Sequence, residues 1–112
     1  MSEDASGSKS LVLIERKSPR DIKMRDLYVR IDDLPEETLL FGDTVEISVP
    51  PGEHRIKVTN RVYSKSLDFT VKDGERTRLT AANVPSRGFL SLFMAFSGMV
   101  PYKVAVWAKD EN

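Results

Sequence analysis

Val49-Pro-Pro-Gly-Glu-His-Arg-Ile-Lys-Val58 decides the fold class of this chain. Proline has no N–H to give to a ladder, so Pro50 and Pro51 end one strand, and Gly52 supplies the positive φ that a type II turn requires. Beyond the turn the residues alternate, His54, Ile56 and Val58 falling on one face and Arg55, Lys57 and Thr59 on the other. Before it, Val45, Ile47 and Val49 face inward against Glu46 and Ser48. A period of two is the mark of a half-buried β-strand, so two strands flank a tight connection.

The same signal extends in both directions. Leu11-Val-Leu-Ile14 is a short apolar run that reads as a first strand, stopped by Ser18-Pro19-Arg20-Asp21. In the next strand Leu27, Val29 and Ile31 alternate with Tyr28, Arg30 and Asp32, and Thr38-Leu39-Leu40-Phe41 is a short apolar piece closed by Gly42-Asp43. Downstream, Leu67, Phe69 and Val71 point inward, and Lys72-Asp73-Gly74-Glu75 carries the Asp-Gly pair typical of a β-hairpin. Thr77, Leu79 and Ala81 then face in, with Arg76, Arg78 and Thr80 out; a last strand sets Val104, Val106 and Ala108 against Lys103, Ala105 and Trp107. Seven to eight short strands follow, joined by connections too short for crossover helices. The chain therefore reads as all-β, an antiparallel immunoglobulin-like or prealbumin-like sandwich.

One segment departs from this pattern. Phe89, Leu92, Phe93, Phe96 and Val100 recur at helical spacing between Pro85-Ser-Arg-Gly88 and Pro101, and Leu90, Met94 and Met99 widen the apolar surface. The spacing predicts a short apolar helix or loop before the last strand. A twelve-residue helix would measure about 18 Å, too short for a hydrocarbon core of about 30 Å. Three placements suit an uncharged segment: closing the protein's own sandwich, pairing with another subunit or protein, or dipping into a membrane interface. The last is the weakest, because an interfacial helix carries Lys or Arg on its polar face and this one offers only Ser and Ala. Phe89, Leu92, Phe93, Phe96 and Met99 are the first candidate partner surface.

The 112 residues have room for one domain, over 11–109, between a polar tail at 1–10 and a short tail at 110–112. The absence of cysteine excludes a disulfide framework, a thiolate zinc site and a Cys nucleophile. Lys+Arg and Asp+Glu both number 17, so no global field draws in nucleic acid. The N-terminus lacks the basic and apolar regions of a secretory signal, and no span is long enough to cross a membrane, which points to the cytoplasm.

The strand Val29-Arg-Ile-Asp-Asp33, the turn Val49-Pro-Pro-Gly-Glu-His54 and the later Lys72-Asp-Gly-Glu75 together resemble the PEGA-type bacterial β-sandwich modules, over roughly residues 27 to 82. Their course runs through a "V-x-[ILV]-D-G" strand, a "[LV]-x-x-G-x-H" turn and a "v-x-x-G" hairpin. The Pro-Gly-x-His turn also occurs in other prealbumin-like sandwiches. The resemblance implies a non-catalytic accessory module of the kind attached to envelope or signalling proteins.

His54, the only histidine, is the natural candidate for acid–base work, but no spacing supplies a nucleophile and an orienting carboxylate beside it. The reading that remains is a cap that hydrogen-bonds the turn's backbone. One His and no Cys leave no metal set, and Asp32-Asp33 with Glu36-Glu37, interrupted by Leu34-Pro35, lacks the spacing of a Ca²⁺ loop. No cofactor is expected. Arg55, Lys57, Arg76 and Arg78 lie on outward strand faces and form a second candidate surface if their strands are neighbours. The expected function is a non-enzymatic protein-interaction or structural module. The alternative is a small-ligand or carbohydrate-binding domain using Tyr28, Tyr63, Tyr102 and Trp107.

Overall fold

The computed structural model describes residues 10–23, 25–85 and 102–108. They form eight strands: β1 (Ser10–Glu15), β2 (Leu27–Ile31), β3 (Glu37–Leu39), β4 (Thr44–Val49), β5 (Gly52–Thr59), β6 (Ser64–Val71), β7 (Arg76–Pro85) and β8 (Tyr102–Ala108). β1 begins at Ser10, a residue that composition assigned to the tail. Two four-stranded sheets result, ordered β4-β1-β7-β8 and β3-β2-β5-β6. No helix occurs among the described residues, and the apolar stretch 89–100 lies outside them.

The inward residues expected from alternation do build the core. Leu27, Val29 and Ile31 of β2 and Ile56 and Val58 of β5 are fully buried, and they meet Val12 and Ile14 of β1 and Leu79 and Ala81 of β7 in a single cluster. Both sheets thus contribute to one core, and burying these branched side chains is the chief favourable term in holding the sheets together.

Three expectations about connectivity need correction. The Asp73-Gly74 turn forms, with Gly74 at φ 75° and Glu75 N–H donating to the Lys72 carbonyl at 3.2 Å, but β6 and β7 belong to different sheets and do not pair. The reason lies at the start of β1. Ser10 Oγ donates to the Lys72 carbonyl at 2.7 Å and accepts from Gly74 N–H at 2.9 Å, while Leu11 N–H donates to the Glu75 carbonyl at 3.2 Å. The turn is therefore taken up by β1, and the strand leaving it runs alongside β1 in parallel register, Leu11 opposite Arg76 through Glu15 opposite Thr80. That parallel pair is the second correction, since a wholly antiparallel arrangement was expected. It needs no crossover helix because the five strands β2 to β6 lie between its partners in sequence.

The third correction concerns the first sheet's outer face. Alternation put Thr80 outward, and it does point away from the core, yet it is only 8 % exposed; Leu13, Ala82 and Val84 on the same face are 7 %, 0 % and 1 % exposed. On this face Leu13 of β1 and the C-terminal half of β7 from Thr80 onward are shielded, whereas Arg76 and Arg78 at the start of β7 are exposed. The outer face of the second sheet is different, with Arg30, Arg55, Lys57, Ser66 and Asp68 all exposed.

Candidate functional site

The chain's only histidine lies where the two sheets meet at one end. β4 runs in the first sheet and β5 in the second, so Pro50 and Pro51 turn a corner between them, and Gly52 reaches a φ of 129° that an L side chain rarely adopts. Two residues on, His54 Nδ1 donates to Asp32 Oδ2 at 2.5 Å and Nε2 donates to the Pro50 carbonyl at 2.7 Å. Asp32, just past the end of β2, holds a left-handed φ of 50° and is fixed there by exchange with Arg55: its N–H donates to the Arg55 carbonyl at 2.9 Å, and its Oδ1 accepts from Arg55 N–H at 2.9 Å.

The protonation state follows from the partners. A carboxylate and a carbonyl are both acceptors, so the geometry favours the ring with hydrogen on both nitrogens, the imidazolium. Partial burial opposes that charge, but the bonds to Asp32 and Pro50 outweigh it, and the His54 pKa is raised above its ordinary 6.5. The His54 bond, followed by the Arg55 N–H, holds the Asp32 pKa below its ordinary 3.8.

Around this clamp is an open cavity of about 570 Å³ lined by Asp32, Glu53, His54, Arg55, Asp68, Phe69 and Thr70. The Phe69 ring lies 6.0 Å from the imidazole at a 39° tilt, and Arg55 pairs with Asp68 through Nε at 2.6 Å and Nη2 at 3.2 Å. The chemistry available is limited. While both nitrogens carry hydrogen and bond acceptors the ring has no lone pair with which to take a proton, and among the described residues no hydroxyl is bonded to it. Among the described residues, no group of three or more His, Cys, Asp or Glu side chains is placed to hold a metal ion, and no helix is long and apolar enough to cross a membrane.

The clamp makes stability depend on pH in a defined sense. The raised His54 pKa contributes stability that is complete below about 6.5 and is lost as pH rises through the folded value. The lowered Asp32 pKa contributes stability present above about 3.8 and lost as pH falls through its folded value. The melting-temperature advantage of the wild type over His54→Gln should therefore be greatest between those limits and shrink above pH 6.5. Parallel stability curves for the two proteins from pH 5 to pH 9 would remove the imidazolium from the account.

The other sequence-derived candidates are dispersed. Arg55 and Lys57 project from the outer face of the second sheet, while Arg76 and Arg78 project from that of the first, so the four do not form one basic surface. Lys57 instead stands opposite Arg30 in the β2–β5 pair. The acidic cluster also divides: Asp32 clamps His54, whereas Glu36 accepts from Arg61 at 2.7 and 3.2 Å. Of the aromatic residues, Tyr28 lies under the Arg61 guanidinium at 3.8 Å on the second sheet's outer face, Trp107 lies under Arg20 at 5.6 Å on the first sheet's outer face, and Tyr63 packs against the core. Phe89, Leu92, Phe93, Phe96 and Met99, and the Tyr102 side chain, fall outside the described residues.

Sequence reasoning anticipated that His54 would bond the turn's backbone but did not pair it with Asp32. The sequence holds the signal for that pair: an Asp at the end of one strand and a His just after a Pro-Gly turn, brought together by the β2–β5 register in which Ile31 faces Ile56. No protein family, characterised relative or solved structure matches this chain.

Proposed function

We propose that the chain is a non-enzymatic β-sandwich module that acts by binding another protein. The observation that supports it is the state of His54: the side chain best suited to acid–base chemistry bonds Asp32 and the Pro50 carbonyl at both nitrogens and braces a corner between the sheets. Asp32 and His54 are also the residues on which the resemblance to PEGA-type modules rests, and their bond gives both a structural purpose within an immunoglobulin-like or prealbumin-like sandwich. A sugar-binding platform is less well supported, because Tyr28 and Trp107 lie on the outer faces of different sheets and each is covered by an arginine.

The test is affinity capture with the full chain in extracts of its source cells, with the eluted species sized by light scattering. A co-eluting protein in a complex of defined mass is expected, and His54→Gln should still form it at pH 7. Two results would overturn the reading. One is a hydrolytic or transfer activity that His54→Gln abolishes; the other is a monomer that retains no protein yet binds an oligosaccharide saturably.

A further inference from the structure

The two sheets face each other along one side without joining. β6 ends the second sheet and β8 ends the first; the two strands lie close together but share no ladder, and among the described residues neither pairs with another strand along its outer edge. A cavity of about 410 Å³ opens along this seam. Lys103, Val104, Ala105 and Val106 of β8 all line it. Four consecutive strand residues cannot present one face, since their side chains alternate; what borders the cavity continuously is the strand's edge. Tyr63 and the first residues of β6, Ser64 and Lys65, line the far side, while Val84 of β7 and Arg20, which rests on Trp107, complete the lining on the β8 side.

The charges at this seam have one sign. Arg20, Lys65 and Lys103 line the cavity, all three are exposed, and no carboxylate joins them in its lining. Among the described residues none of the three has an ion-pair partner, and the Arg20 guanidinium rests on Trp107. In a chain whose acids and bases balance, this contrasts with Arg55, Arg61 and Arg16, each of which is paired with a carboxylate.

We propose that an extended, acidic peptide segment of a partner protein binds here, pairing its backbone with the edge of β8 and placing carboxylates against Arg20, Lys65 and Lys103. This rests on the reading of the chain as a protein-binding module and specifies the site and the partner's chemistry. Strand addition supplies affinity through main-chain hydrogen bonds, and alternate side chains supply specificity. A strand beside β8 would set every second side chain next to buried Val104 and Val106, over the opening between the sheets, and the others next to Lys103. The segment selected is thus alternating, apolar on one side and Glu or Asp on the other, with about four residues in contact at about 3.3 Å each. Lysine on an edge strand also blocks indiscriminate strand pairing. The same charges that reject neutral or basic edges favour an acidic one, which is selection by both attraction and repulsion.

The probe is a fluorescein-labelled Glu-Val-Glu-Val-Glu peptide, titrated with the full-length chain and followed by anisotropy. The peptide should bind, a Lys-Val-Lys-Val-Lys counterpart should not, and affinity should fall between about 50 and 300 mM salt as the charges are screened. Lys65→Glu with Lys103→Glu should weaken binding by roughly tenfold or more, because like charges then face each other. Lys57→Glu, on the outer face of the other sheet, should bind as the wild type does. An equally acidic peptide N-methylated at alternate residues should fail, since it cannot complete a ladder. Unchanged binding by the Lys65/Lys103 variant with an unaltered melting temperature would overturn the site, and equal binding of the N-methylated peptide would overturn strand addition. If the extract partner is retained but the peptide is not, this inference fails while the module reading stands; if neither is retained, both fail.

Discussion

Asp21→Ala should lower the stability of the domain by about 3–5 kcal/mol, the cost of leaving a buried charge without its partner. Arg16 is 2 % exposed and Asp21 5 %, although neither residue type is commonly found in a protein interior unpaired. The guanidinium is fully engaged: Nε donates to Asp21 Oδ2 at 2.8 Å, Nη2 to Asp21 Oδ1 at 3.3 Å and Nη1 to the Leu39 carbonyl at 3.0 Å. Asp21 Oδ1 accepts in addition from Lys23 N–H at 2.7 Å, which fixes the left-handed turn at Lys23, φ 63°. The group thus connects three elements: the end of β1 in one sheet, the end of β3 in the other and the crossing segment 16–26. Alanine at position 21 strips the buried guanidinium of both oxygens of its carboxylate partner. At about 4 °C or more per kcal/mol for a domain near this size, the midpoint should drop by roughly 12 °C or more. Asp21→Asn keeps an acceptor and should lose less. Arg16→Met combined with Asp21→Leu removes both charges and should be more stable than Asp21→Ala alone, because an apolar pair can replace a buried ion pair with little net loss. Thermal and urea melts of the four proteins decide the matter; a loss below about 1 kcal/mol in Asp21→Ala would mean that the pair is hydrated in solution.

This ion pair marks the boundary of what the sequence discloses. Alternation is a local property, fixed by the pleat, so Leu27, Val29, Ile31, Ile56 and Val58 could be assigned to the core from their spacing alone, and all are 0 % exposed. Alternation does not say which sheet a strand joins. Turn chemistry has the same reach: Asp73-Gly74 ensures that the chain reverses there, but whether β7 continues beside β6 or crosses to β1 was decided by Ser10 Oγ, more than sixty residues away in sequence. The division of Arg55 and Lys57 from Arg76 and Arg78 follows from that single crossing. Burial of Arg16 and Asp21 was illegible for a related reason. Both stand in a charge-rich stretch, Glu15-Arg-Lys-Ser-Pro-Arg-Asp21, whose composition is that of a solvated loop. Only the seating of that stretch over the end of β3 removes two of its charges from water. The candidate site shows the same division. His54 could be placed at a turn from its neighbours, while its partner Asp32 needed the strand register.

Asn83→Leu should cost about 2–5 kcal/mol, because it takes a partner from the buried Asn60 amide and from the part-buried Arg25 carbonyl, at about 1–3 kcal/mol each, while nearly conserving volume. Asn83 is 0 % exposed in β7 and Asn60 is 1 % exposed at the end of β5. Asn60 Oδ1 accepts from Val62 N–H at 2.9 Å and Tyr63 N–H at 2.7 Å, and that pair of donors dictates which end of the amide is oxygen. Its Nδ2 therefore points at Asn83 Oδ1, to which it donates at 2.9 Å. Asn83 Nδ2 donates to the Arg25 carbonyl at 3.2 Å, and Arg25 Nε closes the ring by donating to the Asn60 carbonyl at 3.1 Å. The closed circuit joins the β5–β6 turn, β7 and the segment before β2, and so, with the Arg16–Asp21 group, ties the sheets together by hydrogen bonds beside the apolar core. Leucine at position 83 leaves the Asn60 amide and the Arg25 carbonyl facing hydrocarbon. A double-mutant cycle separates this coupling from the loss of two polar side chains: Asn60→Ala and Asn83→Ala should together cost less than the sum of their separate effects by about 1 kcal/mol, well outside the 0.3–0.5 kcal/mol within which independent sites add. Hydrogen exchange locates the effect. In Asn83→Leu the amide of Ile22, which donates to the Asn83 carbonyl, and that of Tyr63, which donates to Asn60 Oδ1, should exchange faster than those of Val12 and Ile14 in β1. Additive losses, or exchange that accelerates uniformly across the domain, would show that the circuit stabilises the fold without specifically holding its two sheets in register.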